Sequence, residues 1–362
     1  MTGKASSAGV RAVALLASLL VVAAACGDGT TTETTGGTGG PADTSAGGED
    51  VFGPPETETI RVVNSSTDAG SNAPFTIGIE DGTFEEEGLE VQVGLTDDPR
   101  APLVGGSADI AVIEVPYLTE AVVEGVDLVI IGGYRCREQY AFATQPDVTS
   151  AEDLEGQDVN LNGPPEDPVV QFRLQLLKEA GWDLAAVPDI NYVQIPGSSG
   201  AWLEVFQEGQ IALTPFFRSQ TGSYEELDAN IILNQFVEWP NEVLAANREF
   251  VEQNPNTVGR FLRGLMKTTE FFMDESNKDA VMEMSVAQDY GTERLEADYM
   301  SGPILHCPNY YVNADVVETQ LEVQVVEGAP AFDEMSVLDP LLKAQESLGM
   351  DNEPTTPPSA DS

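Results

Sequence analysis

From Thr59 onward the chain alternates short apolar runs with segments of helical periodicity. TIRVV (59–63) reads as a strand that ends in a polar, Gly-containing loop, NSSTDAGSNA (64–73). Pro74 then opens a helix at its first position, where its missing N–H costs nothing. Gly82 and Gly88 punctuate the region before the next strand, LEVQV (89–93). DIAVI (109–113) follows, with Pro116 opening another helix, and then DLVII (127–131) and YAFAT (140–144). DVNLN (158–162) leads into an amphipathic helix over 168–180, with Val169, Phe172, Leu176 and Ala180 on one face. Asp167 is its N-cap, Pro168 its first residue and Gly181 its stop. INYVQI (190–195), a helix near 200–208, IALT (211–214), NIILNQF (230–236) and EVLAA (242–246) continue the pattern, which turns mainly helical to about 349.

Alternating strands and helices predict an α/β fold with parallel sheets covered on both faces. In such sheets ligands bind outside the carboxyl ends of strands, at topological switch points. That rule places a cleft at 64–73, 113–117, 132–138, 162–167, 196–200 and 214–217. The candidate ligand-binding residues are Ser65, Thr67, Asp68, Glu114, Tyr134, Arg135, Asn162, Thr214, Phe216 and Trp239. Glu114 ends the DIAVI strand and can accept hydrogen bonds from an amine or an amino-pyrimidine. Tyr117, Tyr134, Phe216, Phe217 and Trp239 supply aromatic faces for a flat heterocycle. Arg135 can pair bidentately with a carboxylate or sulfonate. Each has an ordinary alternative: a solvated loop acid, a core aromatic, a counter-charge to the surrounding acid.

The chain ends carry a different signal. Lys4 and Arg11 precede an unbroken run of apolar and small residues, Ala12–Ala25. This run is too short for a transmembrane helix, which needs about 20 residues, and has the length of a signal-peptide core. It closes on Ala23-Ala24-Ala25-Cys26-Gly27, which resembles the lipobox of bacterial lipoproteins, although Ala23 stands where a larger aliphatic residue is usual. Residues 1–25 are then a signal peptide, and Cys26 becomes the lipidated N-terminus. The alternative is an ordinary cleaved signal with an incidental cysteine. Residues 27–58, acidic and Gly/Thr-rich, lack the apolar surface to offset their ordering entropy, so 26–58 is expected to be a flexible tether. Residues 350–362 are expected to be a disordered tail.

Composition narrows the partners. Sixteen Lys and Arg stand against 61 Asp and Glu, a formal charge of −45. Nucleic acid is excluded as a partner, because phosphate neutralisation needs a basic surface. Such an acidic surface suits salty surroundings, where screening weakens self-repulsion. Cys136 and Cys307 form either a disulfide of an exported protein or two unrelated buried thiols. His306 is the only histidine, there is no Gly-x-x-x-x-Gly-Lys phosphate loop, and Gly197-Ser198-Ser199-Gly200-Ala201 lacks nucleophile-elbow spacing. No cofactor, no metal and no enzymatic activity are expected.

Several stretches resemble one family in the right order. PFTIGIEDGTFEEEGLEVQV is similar to its "G-x-F-x-x-x-G-L-x-V" segment, and GGSADIAVIEVPYLTEAVVEGVDLVII to its "G-x-A-D" strand and following helix. SAEDLEGQDVNL resembles "D-L-x-G-K-x-V", with Gln157 replacing the lysine, and EVFQEGQIALTPFF resembles "L-x-x-G-x-x-D-A". EFVEQNPNTVGRFLRGL is similar to the late helix pair. The family is that of ABC-transporter solute-binding proteins for nitrate, sulfonates, taurine and thiamine-pyrimidine precursors. An enzymatic branch that makes the thiamine pyrimidine carries a Cys-Cys-Cys-Phe-Cys run, which is absent here.

The resemblance implies a type II periplasmic-binding fold, two α/β lobes joined by two crossing strands and closing over a ligand. The crossings are expected near Phe142–Val148 and Gln235–Pro240, with lobe one at 59–142 plus 238–349 and lobe two at 143–237. It further implies a monomer, lipid-anchored on the outer side of the cell membrane, that passes a small-molecule solute to an ABC importer permease. Relatives that bind anions use helix N-termini. Here Asn162-Gly163-Pro164-Pro165-Glu166-Asp167 offers two prolines without N–H groups and two carboxylates. A small nitrogen-containing organic solute, such as a thiamine-type pyrimidine, is therefore the leading expectation. A sulfonate or nitrate held by Arg135 is the alternative within the class; a lipid-anchored enzyme or a non-binding scaffold is the alternative outside it.

Overall fold

The structure, a computed structural model, describes residues 50–66, 69–96, 98–196, 199–287, 306–323 and 326–355, without the side chains at 138–139, 168–169, 219 and 238–241. Contacts divide the chain into Met1–Glu49, which lies outside the described residues, and Asp50–Ser362. The strands are β1 Thr59–Asn64, β2 Glu90–Leu95, β3 Ile110–Glu114, β4 Leu128–Thr144, β5 Asp158–Asn160, β6 Asn191–Val193, β7 Leu213–Pro215 and β8 Asn230–Asn247. The longer helices are α1 Ala69–Glu80, α2 Val115–Val123, α3 Pro168–Glu179, α4 Ser199–Gln207, α5 Pro255–Met273, α6 Lys278–Ala287, α7 Ala314–Val323 and α8 Asp339–Leu348.

Hydrogen bonding orders the strands β2-β1-β3-β8-β4-β7-β5-β6. Two of them, β4 and β8, pair antiparallel along their length and belong to two sheets at once. The first sheet is β2-β1-β3-β8-β4, and the second is β8-β4-β7-β5-β6. The exchange falls between the pairs Arg135↔Glu242 and Arg137↔Glu238, where Trp239–Asn241 stand against Cys136 alone. Pro240 cannot donate to a ladder, which suits this bulged position.

Three sequence expectations change here. DLVII and YAFAT form one strand, as do NIILNQF and EVLAA. The stretches between these runs, GGYRCREQ and VEWPN, carry glycines, charges and a proline that break the apolar pattern, so they read as loops. Phe142, expected at a crossing, pairs with Pro215 inside the second sheet, so the exchange comes earlier, at Arg135–Arg137. Nor are the sheets wholly parallel: β1–β2, β1–β3, β5–β6 and β5–β7 are parallel, whereas β8 opposes β3 and β4 opposes β7. A strand that leaves one sheet through the cleft must enter the other from its cleft side, and so runs against its neighbours there.

Both faces of the first sheet are covered, as alternation along its strands requires. Ile110, Val112, Leu244 and Ala246 pack on one side with Phe75, Phe261 and Leu265. Ala111, Ile113, Val243 and Ala245 pack on the other with Leu118, Val317 and Met335. In the second sheet Tyr140 and Phe142 face Phe172, Leu176 and Leu177, while Ala141 and Ala143 face Phe206 and Tyr224.

Helix α1 begins at Ala69, five residues before the Pro74 start read from the sequence, and Pro74 lies inside it. An interior proline removes the N–H that would bond the carbonyl four residues back, here Gly70. The His306 ring sits against that carbonyl, Nε2 to O at 3.2 Å, and the Tyr134 hydroxyl donates to the adjacent Ser71 carbonyl. Side-chain partners thus take over where Pro74 interrupts the ladder. Helix α3 stops as expected at Gly181, whose φ of 90° lies in the left-handed region. Phe172 and Leu176 are buried on it, whereas Ala180, expected on the same face, is exposed.

Both ends of the described body are tied down where the sequence suggested free chain. Phe52 is buried against Gly259 of α5, and Glu56 accepts from the N–H groups of Asn256 (3.2 Å) and Thr257 (2.8 Å) in its first turn. Asp50 accepts from Arg260 (2.6 Å) and Arg263 (2.7 Å), and Arg263 also reaches the buried Glu87 (2.6 Å). After α8, Asn309 donates to the carbonyls of Asp351 (2.7 Å) and Glu353 (2.8 Å), and Arg137 to that of Thr355. Apart from Phe52 these segments are polar, and most of what holds them is hydrogen bonding, which hydrophobic patterning does not register.

Candidate functional site

The carboxyl ends of β1 and β3, and those of β5 and β7, meet where β4 and β8 pass from one sheet to the other. A cavity of about 170 Å³ opens there, lined by residues of both sheets. Glu114, Arg135 and Glu242 come from the first sheet. Asn162, Arg173, Trp202, Phe216 and Phe217 come from the second, together with Tyr140 and Phe142 of β4.

The charged wall follows from strand register. Glu114 on β3 lies directly opposite Glu242 on β8, and Glu242 lies directly opposite Arg135 on β4. Directly opposed residues place their side chains on one face, with Cβ atoms about 5 Å apart. Arg135 Nε approaches Glu242 Oε2 at 3.3 Å, with both side chains mostly buried. Two carboxylates and one guanidinium leave this wall with a net negative charge, and low-dielectric walls concentrate its field. The facing wall is aromatic, with one guanidinium from Arg173 that donates to the Leu161 carbonyl at 2.6 Å. Asn162 turns the chain out of β5 with φ of 59°, a left-handed conformation in which asparagine is several-fold enriched among non-glycine residues.

At the rim, Tyr117 of α2 donates to Asp167, just before α3, at 3.3 Å. Arg100 stacks over the Tyr117 ring at 5.5 Å. Burial pushes the Tyr117 phenol well above its ordinary value, and the Glu114 and Asp167 charges push it further.

Of the sequence-derived candidates, Glu114, Arg135, Asn162 and Phe216 are brought together around the cavity. Tyr134 is not: it is 1% exposed, its ring stacks on Phe75 at 5.4 Å and its hydroxyl is bonded to Ser71. Alternation along β4 sends Arg135 to the cavity and therefore sends Tyr134 into the core. Thr214 is fully buried, accepts from the Asn160 amide at 3.1 Å and braces β5 against β7 instead of facing a ligand. Ser65 is exposed beyond β1 and does not line the cavity. Thr67, Asp68, the Trp239 side chain and Cys26 lie outside the described residues.

Glu242, Arg173, Trp202 and Tyr140 were missed. Glu242 opens the EVLAA strand, and only the reversed direction of β8 brings an amino-terminal strand end to the cleft. Cys136, at the exchange point, is disulfide-bonded to Cys307, with Cα atoms 5.8 Å apart. Among the described residues no cluster of three or more His, Cys, Asp or Glu is arranged to hold a metal ion, and no helix is long and apolar enough to cross a membrane. A larger concavity, about 970 Å³, lies on the flank of the second sheet between α3, β6 and Val323 of α7, with Pro165 of the loop after β5 at its border.

The same architecture recurs in solved structures. The periplasmic aliphatic sulphonate-binding protein SsuA of Escherichia coli is 14% identical, with a TM-score of 0.58 over 78% of this chain and 98% of that one. The periplasmic nitrate-binding protein NrtA of Synechocystis PCC 6803 is 14% identical, with a TM-score of 0.60 over 82% and 90%. DSZB in complex with biphenyl-2-sulfinic acid is 15% identical, with a TM-score of 0.54 over 80% and 99%. At these identities the likeness speaks for the two-lobed periplasmic-binding fold. No curated protein sequence matches the chain. The NMT1/THI5-like family profile matches residues 70–278, more than half of the sequence. The chain belongs to the NMT1/THI5-like family.

Proposed function

We propose that this protein is an exported, lipid-anchored solute-binding protein that captures a small nitrogen-containing organic solute and delivers it to an ABC importer. One observation carries the reading: the cavity at the strand exchange sets the Glu114–Glu242–Arg135 row of one sheet against the aromatic side chains of the other. A carboxylate pair balanced by one arginine favours a cationic or amino-bearing group, and Trp202, Phe216 and Phe217 favour a flat apolar body. The cavity is smaller than the roughly 300–1,000 Å³ of drug-sized pockets, which suits a compact solute such as a thiamine-type pyrimidine. Hinge motion about the exchange point, at Arg135–Arg137 and Glu238–Glu242, lets a ligand favour the closed form through contacts that both lobes complete.

A sulfonate or nitrate ligand is the second reading, favoured by the SsuA and NrtA likenesses and by Arg173 on the second wall. Pairing of Arg135 with Glu242 weighs against it. Binding without catalysis is supported by the setting of His306, the only histidine, whose two ring nitrogens lie 3.2 Å from the carbonyls of Tyr134 and Gly70 in the core.

Export and anchoring rest on the lipobox-like Ala23–Cys26. Radioactive fatty acid is expected to label the wild type and not Cys26→Ser; equal labelling removes the anchor. The binding role is tested by a thermal-shift screen of the chain from Gly27 onward against pyrimidines, amines, sulfonates, nitrate and aromatic acids. A ligand at 100 times its Kd adds about 2.7 kcal/mol of stability. No shift across such a library overturns the binding role.

A further inference from the structure

The strand exchange is braced from one side by two chain segments that are distant in sequence. The segment after His306 runs along β4 where that strand is the edge of the first sheet. Gly133 N–H donates to the Tyr310 carbonyl at 2.8 Å, and the approach is so close that a Cβ on Gly133 would lie 2.4 Å from the Tyr311 carbonyl oxygen. Its Cys307 is bonded to Cys136, the single residue of β4 between the two sheets. The chain then enters α7, whose Val317 and Leu321 pack into the first lobe while Val316 and Val323 pack against the core of the second.

Residues 351–355 lie over this segment. Asn309, 3% exposed, donates to the carbonyls of Asp351 and Glu353. Gln345, 1% exposed, donates to the Asn309 carbonyl at 2.8 Å and to the Asn352 side chain at 3.2 Å. Arg137, the first residue of β4 on the far side of the exchange, donates to the Thr355 carbonyl. The tail therefore begins on the first lobe, at α8, and ends on the first residue that β4 gives to the second. Bonds made by buried amide and guanidinium groups are costly to leave unmade, which keeps this tie closed.

We propose that Asp351–Thr355, together with the Cys136–Cys307 bond, is a strap that limits how far the two lobes can swing apart. The inference rests on the lobe-closing reading above. A strap of this kind narrows the open ensemble and so reduces the ordering cost of capture.

Spin labels on exposed positions of the two lobes, at Glu90 and Glu155, report the swing as a distance distribution. They are placed on the full mature chain, on a chain ending after Thr355, on one ending after Met350, and on full-length Arg137→Leu. The first two are expected to give the same narrow distribution. The chain ending after Met350 and Arg137→Leu shift it to longer distances, and adding Cys136→Ser with Cys307→Ser shifts it further. Arg137→Leu keeps the test open if truncation prevents folding. Lobes that swing as widely in the full chain as in folded strap-less variants overturn the strap and leave the closing reading intact. A single unchanging distance in every folded variant, with and without the disulfide, overturns both.

Discussion

Tyr117 and Asp167 hydrogen-bond across the rim of the cavity at 3.3 Å, one from the helix after β3 and the other from the turn before α3. The first belongs to a helix that covers the first sheet, the second to the entry of a helix that covers the second. This bond therefore exists only while the lobes are close. Tyr117→Phe removes the donor and little else, a change worth about 0.5–1.5 kcal/mol for one hydrogen bond. The expected outcome is a larger radius of gyration in solution scattering with an almost unchanged melting temperature. An unaltered scattering curve means that the bond does not hold the closed form.

How much of this was legible in the sequence differs from element to element. The apolar runs of β1, β3 and β5 were readable because their cores impose alternation or continuity. The middle of β4, GGYRCREQ, was not, because its glycines and charged residues break the apolar pattern where the strand passes from one sheet to the other. That one loss misplaced Tyr134: without the register of β4 its parity relative to Arg135 was unknown. Glu242 was hidden for a related reason, since a carboxyl-end rule misses a strand that runs backwards through its sheet. The ordered ends were invisible because Asp50, Glu56 and Asp351 are held by polar bonds to residues far away in sequence.

The charged row separates two effects that a single substitution confounds. For a cationic or amino-bearing solute, Glu114→Gln and Glu242→Gln are each expected to lose one charged hydrogen bond, about 1.5–3 kcal/mol of binding. Arg135→Gln spares the carboxylates but, like Glu242→Gln, breaks the mostly buried Arg135–Glu242 pair at 3.3 Å from one side, whereas Glu114→Gln leaves that pair in place. Breaking a buried pair from one side typically costs about 3–5 kcal/mol of stability. Calorimetry on the solute found by screening, with urea denaturation of each variant, reads the two effects separately. An anionic solute reverses the binding order, with Arg135→Gln losing affinity and the glutamate variants keeping it.

The docking of the segment before β1 depends on a missing side chain. A Cβ at Gly259 would lie 2.1 Å from the Phe52 ring, too close for any small adjustment. Gly259→Ala is therefore expected to expel Phe52, at the overpacking cost of about 1–3 kcal/mol. Phe52 packs into the core of the first sheet but precedes β1 and takes no part in strand pairing, so the loss is expected to be local. Limited proteolysis is expected to cut between Asp50 and Glu58 in the variant and not in the wild type, while amides of β3 and β8 keep their exchange protection. Loss of protection throughout both sheets contradicts a local role for the segment.

The same segment gives the protein an acid-sensitive contact whose direction follows from its charges. Hydrogen bonding from Arg263 outweighs partial burial and, with the Phe52 N–H and the Arg260 charge, lowers the Asp50 carboxyl from its ordinary value of 3.8 to about 2. A carboxyl whose value is depressed by folding binds its proton less readily in the folded state, so its contribution is fully present above pH 4 and is lost as the pH falls toward 2. Asp50 is partly exposed, so solvent and salt screen the interaction, and its size is left to measurement. Asp50→Asn removes the charge at every pH. The stability difference between wild type and variant, followed by urea denaturation, is expected to be constant from pH 7 to 5, to shrink between 4 and 2, and to be smaller at each pH in high salt. A difference that persists undiminished at pH 2 would mean that Asp50 holds the arginines by geometry alone and not by charge.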